Sequence, residues 1–229
     1  MIALIPAKGQ SERITHKNRR LIAGKPLIAW TIESILQSSL IDEVYVSTDD
    51  LEIKEIALKY NCKIVRRPEH LCLPSTPLRP VIQHFLSICS ETADYSQEPI
   101  LVVLPTAALI NPHTISEAHE KFFEREEHGR CVFGCSSYGH PIERSFSIHH
   151  NEIRPTFPSA DTQKQTQKFE KKYHDSGTFY LGDWDFFMSS KTIFDGSGIP
   201  MILSSSEGLD IDWPEDLIVL EALLKNKKH

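Results

Sequence analysis

The chain has 229 residues, 40% of them hydrophobic and 24% charged, with a net charge of -6. A chain this long buries a core without disulfides or structural metal, and its acidic balance argues against a general nucleic-acid binder. Five cysteines form no paired framework. Cys131 and Cys135, four apart in "CVFGCSS", would stand about 13 Å apart on a strand, too far for a disulfide or a shared metal. Reduced thiols, the lack of a signal peptide and the lack of a membrane-length apolar run lead to the expectation of a cytoplasmic protein with no membrane partner.

In chain order the pattern alternates. "IALIP" is a short apolar strand, and "PLIAWTIESILQSS" carries Ile28, Ile32, Ile35 and Leu36 at helical spacing. "EVYVST" is a β-branched strand, and "LEIKEIALKY" sets Ile53, Ile56, Ala57 and Tyr60 on one helical face. "KIVRR" and "PVIQHFLSIC" repeat the strand–helix pair, as do "PILVVL" and "PHTISEAHEKFFERE", before a strand at "CVFGCSS". Apolar strands alternating with amphipathic helices predict an α/β protein with a mostly parallel sheet covered on both faces.

After about residue 137 the alternation stops. "SFSIHHNEIRPTF" reads as a hairpin turning near Asn151, and "PSADTQKQTQKFEKK" is polar and without period, a mobile loop or an arm ordered by a partner. Order resumes with a strand at "GTFYLG", a short helix at "DWDFFMSS", a strand at "PMILSS" and a last helix from "PEDLIVLEALLK". With no internal repeat and no linker, residues 1–229 are expected to form one domain with 138–175 as an inserted hairpin arm.

The loop after the first strand, from Ala7 to about Gly24, is long for a strand-to-helix connection. It concentrates Lys8, Arg13, Lys17, Arg19 and Arg20, with Lys25 just beyond and Glu12 as its acidic residue. Ligands of a parallel sheet bind at the carboxyl ends of its strands. Gly9 lets the backbone approach a ligand, Ser11 adds a hydroxyl, and Lys8, Arg13 and Lys17 can each neutralise a phosphate oxygen. Pro26 after Gly24-Lys25 rules out a Walker A loop, and no dinucleotide fingerprint is present. A solvated basic loop is the competing reading. Near the C-terminus, "GLDIDWPEDL" places Asp210 and Asp212 on one side of an extended segment, where two carboxylates can hold Mg2+. Equally, Asp212 ahead of Pro214 and Glu215 can cap the last helix.

The first loop resembles the signature of the cytidylyltransferases that activate nonulosonic acids, approximately I-P-A-R-G-G-S-K-R-I-P-x-K-N followed by G-K-P-L. Pro6, Ala7, Gly9, Ser11, Arg13, Ile14, Lys17, Asn18, Gly24, Lys25, Pro26 and Leu27 match, while Lys8, Gln10, Glu12 and Thr15 depart from it. "DIDWPED" is similar to the family's D-I-D-x-x-E-D, whose aspartates hold the metal, with Asp212 placed ahead of Asp210. "KKYHDSGTFYLG" is similar to the Y-H-D-A-G-Q-F-Y-W-G of the pseudaminic acid members, as is "HPIERSFSI".

The resemblance implies a Rossmann-like three-layer α/β/α nucleotidyltransferase fold whose hairpin arm makes a homodimer. It implies catalytic roles for Lys8, Arg13 and Lys17. It gives nucleotide contacts to Ala7, Gly9, Ser11, Asn18, Arg67, Thr106 and Ala107, and sugar contacts to Arg144, Gln167, Tyr173, His174, Asp175 and Gly177. The implied reaction joins CTP, with Mg2+, to pseudaminic acid as its CMP-sugar and releases pyrophosphate. Legionaminic and sialic acids are alternatives. Gln165 and Ala108, where relatives carry Arg and Pro, join Lys8 and Glu12 as the features favouring a nucleotide-binding homologue impaired in catalysis. Without the resemblance, His174-Asp175 reads as a turn before a strand.

Overall fold

A computed structural model describes residues 1–73, 75–90, 98–124, 129–158 and 162–226. The chain opens with β1 (Ile2–Pro6), and the long loop behind it contains a minute antiparallel ladder, β2 (Leu21–Ile22) with β3 (Lys25–Pro26). Then follow α1 (Leu27–Leu36), β4 (Glu43–Thr48), α2 (Leu51–Lys59), β5 (Lys63–Arg66), α3 (Leu78–Ser90), β6 (Ile100–Val103), α4 (Pro112–Phe123) and β7 (Cys131–Ser137). The hairpin β8 (Phe146–His149) and β9 (Glu152–Pro155) comes next, then β10 (Tyr173–Gly182), α5 (Trp184–Met188), β11 (Gly198–Ile202) and α6 (Pro214–Asn226).

The seven-stranded sheet has the order β11-β7-β10-β6-β1-β4-β5. β10 pairs antiparallel with both β6 and β7, while the other neighbours pair parallel. The mostly parallel Rossmann-like sheet expected from the sequence is therefore present. Both faces are packed. Ile28, Ile32 and Ile35 of α1 join Ala3, Ile5, Val44 and Val46 on one face. Phe85 and Leu86 of α3 join Ile2, Leu4, Ile100 and Val102 on the other. Strands buried on two faces need continuous apolar runs, which explains "IALIP" and "ILVV".

Local chemistry sets the boundaries. Asp50 caps α2 by accepting from the backbone N–H of Glu52 and Ile53 (2.8 and 3.0 Å). Asn111 caps α4 through Thr114 N–H, with Pro112 in the first helical position. His150 and Asn151 both take positive φ (49° and 65°), the geometry of a two-residue hairpin turn, so the turn falls where the sequence places it.

Three expectations are corrected. Leu36 is 47% exposed and does not share the buried face of α1. His174 and Asp175 lie inside β10, opposite Ser136 and Cys135 of β7, and not in a turn before a strand. Asp212 does not cap α6: Asp216 in the first turn reaches back to accept from Asp212 N–H and Trp213 N–H (2.9 and 2.7 Å), and the Asp212 side chain turns to Arg13 and Lys17. The polar stretch after the hairpin lies partly outside the described residues, as does the end of the helix expected through residue 126.

Candidate active site

Every parallel strand delivers its carboxyl end to the same edge of the sheet, and β10, running the other way, brings its beginning there. The loops after β1, β4, β5, β6 and β11 and the first half of β10 therefore converge.

The first loop is seated by its backbone. Ala7 N–H donates to Ser47 O (2.9 Å) and Gly9 N–H to the Asp49 carboxylate (2.9 Å). A Cβ on Gly9 would stand 2.8 Å from Cβ of Asp50, so the approach requires glycine. Asn18 is buried and its amide donates to Lys8 O (2.8 Å), while its amide oxygen is buried with no partner. Such an orphaned acceptor is the mark of a site completed by something else.

The cations of the loop divide by partner. Arg19 pairs with Asp50 (3.3 Å) and Glu52, and Lys25 with Glu33 (2.5 Å) beneath the Trp30 ring, so both fasten the loop to α1 and α2. Arg13 and Lys17 face the other way. Both reach Asp212, Arg13 in direct contact and Lys17 at 3.7 Å, and Lys17 also donates to Ile211 O. Arg13 further lies 5.4 Å from the centroid of the Trp213 ring. Lys8 and Ser11 are half-buried along the same loop, and Glu12 is exposed.

The cause of this meeting is apolar. Ile14 in the loop and Ile211 between the two aspartates are both buried, in one cluster with Ile22, Leu27, Leu217 and Leu220. In an extended segment, burying Ile211 turns Asp210 and Asp212 together to the opposite side. Burial lowers the pKa of Lys17, with Asp212 and then Asp210 working against that fall. The Asp210 carboxyl, which solvent can still reach, is pushed up first by partial burial and then by the negative charge of Asp212. Two hard oxygen donors that repel each other suit a magnesium ion, which keeps waters and shares its coordination with phosphates. Among the described residues no group of three or more potential ligands occurs, so the pair fits a substrate-borne Mg2+ and not a closed protein cage.

Arg67 is buried, donates to Ser47 O (3.0 Å), and has its pKa lowered by desolvation against the partial support of Asp49. It borders a cavity of about 550 Å³ with Thr48, Asp49, Lys54, Arg66 and Cys72. Thr106 and Ala107 are buried in the turn after β6, which Thr31 braces through Pro105 O (2.9 Å). Ala108 N–H donates to Thr106 O (2.8 Å), a bond that the proline of the resembling sequences cannot make.

On the other flank β10 is irregular between Asp175 and Tyr180, with Gly177 at φ 62°. The Asp175 carboxylate accepts from Gly177 N–H (2.9 Å) and from the Tyr180 hydroxyl (2.6 Å). His174 donates from Nδ1 to Asp175 O (2.9 Å) and packs on the Tyr138 ring, while Tyr173 stays 43% exposed. Asp175 and Tyr180 open into a cavity of about 330 Å³ walled by Ile82, Phe186, Phe187 and Phe194. Burial, then Asp175, raises the Tyr180 pKa, and Asp210 contributes too, so Asp210 lies within electrostatic reach.

Arg144 and Gln167 sit apart from this cluster, in the arm. Arg144 donates to Thr162 O, Lys164 O and Thr166 Oγ1 and covers the Phe169 ring, and Gln167 donates to Gln165. Tyr180 and Arg79 were missed in the sequence. Tyr180 follows strand periodicity and reads as core, and Arg79 precedes a proline at a helix start and carries no motif.

A mostly parallel sheet whose first loop presents cations to a carboxylate pair fits a nucleotidyltransferase. The chain belongs to the cytidylyltransferase family, whose pattern it matches over residues 2–171, and it is a CTP-using enzyme of that class. It is 31% identical to the pseudaminic acid cytidylyltransferase of Campylobacter jejuni subsp. jejuni serotype O:23/36 (strain 81-176), over 98% of this chain and 96% of that one. It is 30% identical to the CMP-N,N'-diacetyllegionaminic acid synthase of Legionella pneumophila, over the same shares. The solved structure of CMP:2-keto-3-deoxy-manno-octonic acid synthetase complexed with CTP superposes with a TM-score of 0.69 at 14% identity, covering 99% of this chain and 98% of that one, a likeness of fold.

Proposed function

We propose that the enzyme transfers the cytidylyl group of CTP to a nonulosonic acid, pseudaminic acid in the first place, and releases pyrophosphate. The observation that carries this is the convergence of Arg13 and Lys17 on Asp212, beside Asp210, at the carboxyl edge of the sheet. The names of the full-length relatives support the nonulosonic acid as acceptor.

In this reading the triphosphate replaces Asp212 as the partner of Arg13 and Lys17, with Lys8 alongside. The backbone at Ala7 and Gly9, the Ser11 hydroxyl and the unpartnered oxygen of Asn18 line the nucleotide, and Arg67, Thr106 and Ala107 contact its base and ribose side. Asp212 and Asp210 would hold Mg2+, which supplies neutralisation of the phosphate charge. The anomeric hydroxyl of the sugar acid attacks the α-phosphorus, the bond from that phosphorus to the pyrophosphate oxygen breaks, and the hydroxyl proton is lost to a site carboxylate or water. Lys17 and Arg13 stabilise the charge gathering on the departing pyrophosphate. Asp175 and Tyr180 present the sugar, with His174, Tyr173 and Gly177 shaping that wall and Arg144 and Gln167 reaching it from an arm.

That arm acts between two copies. Every residue of the β8–β9 hairpin is exposed, including Phe146, Ile148 and Ile153 at 53%, 68% and 64%. Isolated two-stranded hairpins are marginal in water, and a second chain covering this one makes the homodimer. Pyrophosphate release with CTP and Mg2+, assayed on pseudaminic, legionaminic and sialic acids with UTP and no-sugar controls, tests the reading. Release specific to CTP and pseudaminic acid is expected. Release with another of the acids moves the assignment to that acid, and CTP binding without release for any of them returns the chain to an impaired nucleotide binder.

A further inference from the structure

The 330 Å³ cavity beyond Asp175 and Tyr180 is mostly apolar, walled by Leu78, Ile82, Phe186, Phe187, Ile193 and Phe194. Between the end of α5 at Met188 and the start of β11 at Gly198, its outer wall holds one short, irregular helical turn, Ile193–Ser197. One side chain gathers it. Arg79, at the start of α3, donates from Nη1 to Phe186 O (2.9 Å), Phe187 O (3.4 Å) and Ser189 O (2.7 Å), and from Nη2 to Lys191 O. Gln83, one turn on, adds a bond to Phe187 O (3.1 Å). The Phe186, Phe187 and Ser189 carbonyls belong to the last turn and cap of α5, where a cation is favoured, and Lys191 O lies in the segment that follows. Beyond Lys191 the wall is kept in shape by Asp195, whose carboxylate accepts from Thr192 N–H (2.8 Å), and by Thr192, whose hydroxyl accepts from Phe194 N–H (3.2 Å), and Phe194 stands 81% exposed at the mouth.

We propose that Arg79 is a positioning residue for acceptor specificity: it holds this apolar wall in place so that the cavity admits an acylamido or deoxy substituent of the sugar acid and disfavours a hydroxylated one. The inference rests on the reading of the cavity as the sugar's. Beyond Asp175 and Tyr180 a hydroxyl faces Leu78, Ile82, Phe186, Phe187 and Phe194, and an unpaired hydroxyl against aromatic carbon is costly. Pockets of this kind discriminate by roughly 10- to 100-fold.

The test compares kcat/KM, with CTP, for a diacetamido 9-deoxy nonulosonic acid and for N-acetylneuraminic acid, in wild type, Arg79→Gln, Arg79→Lys, Gln83→Leu and Phe194→Ala. Wild type is expected to prefer the deoxy acid by roughly 10- to 100-fold. Arg79→Gln raises KM for the deoxy acid about tenfold and shrinks the preference, with KM for CTP unchanged; Arg79→Lys restores part of both, and Gln83→Leu gives a weaker version of the loss. Arg79→Gln with an undiminished preference, or with CTP and both sugars weakened alike, overturns the positioning role. If Arg79→Gln does not fold, Gln83→Leu decides by the same ratio. Phe194→Ala, a change at an exposed site, tests the underlying reading separately: an unchanged KM for the deoxy acid would show that the cavity does not take the sugar.

Discussion

Lys17 and Asp210 carry opposite signs and the same lesson, since each is held where its charge is costly in the free protein. Lys17 lies partly buried, with its pKa lowered by desolvation, and is kept charged by Asp212. Lys17→Ala should lower kcat/KM for CTP by on the order of 10²- to 10³-fold, the usual loss for one donor to transition-state charge, measured by pyrophosphate release. For Asp210 the folded pKa is raised, by burial first and by Asp212 second. A carboxyl raised in this way keeps its full stabilising contribution below the unfolded value and loses it as pH rises through the folded value. Asp210→Asn should therefore raise Tm at pH 7, leave it unchanged near pH 3, and abolish most turnover. A fall in Tm at pH 7 would mean that the carboxylate pair is not strained. The basic loop was legible as a count of cations. Its division into Arg13 and Lys17 for the site and Arg19 and Lys25 for the scaffold was not, because for Arg13, Lys17 and Arg19 the partners lie far along the chain, at Asp212, Asp50 and Glu52.

Among the elements, Ile211 shows how packing builds the site. It is fully buried with Ile14, and these two residues join the first loop to the aspartates across some 200 positions of chain. Ile211→Ala should cost about 2–4 kcal/mol in denaturant unfolding, and the surviving folded enzyme should bind CTP more weakly because Arg13 and Lys17 lose their register with Asp212. An unchanged affinity would separate the core from the site. The alternation of apolar strands and amphipathic helices made most elements readable, and the positive-φ pair His150-Asn151 marked its own turn. The direction of β10 was not readable, since an apolar strand looks alike in either orientation, and that direction brings Asp175 to the site. Whether Asp212 caps α6 or faces the site stayed open in the sequence, because only the cationic loop, distant in the chain, claims Asp212.

For the whole molecule, the sheet supplies one edge at which the loops meet, and the hairpin extends an apolar ribbon from it. Ile148 and Ile153 face each other across the ladder and stay exposed. The double variant Ile148→Asp with Ile153→Asp should convert the proposed homodimer to a monomer in light scattering and lower activity without lowering Tm by more than a few degrees; a wild-type monomer would remove the arm's proposed role. If the cations and carboxylates brought together at this edge perform cytidylyl transfer, a phosphorus NMR time course of CTP, Mg2+ and pseudaminic acid with the purified enzyme will show it. CTP resonances should give way to one phosphodiester, the CMP-sugar, and one pyrophosphate in equal amounts, and Asp212→Asn should stop both. Appearance of CDP with inorganic phosphate, or of CMP and pyrophosphate without the sugar joined, would rule out that chemistry.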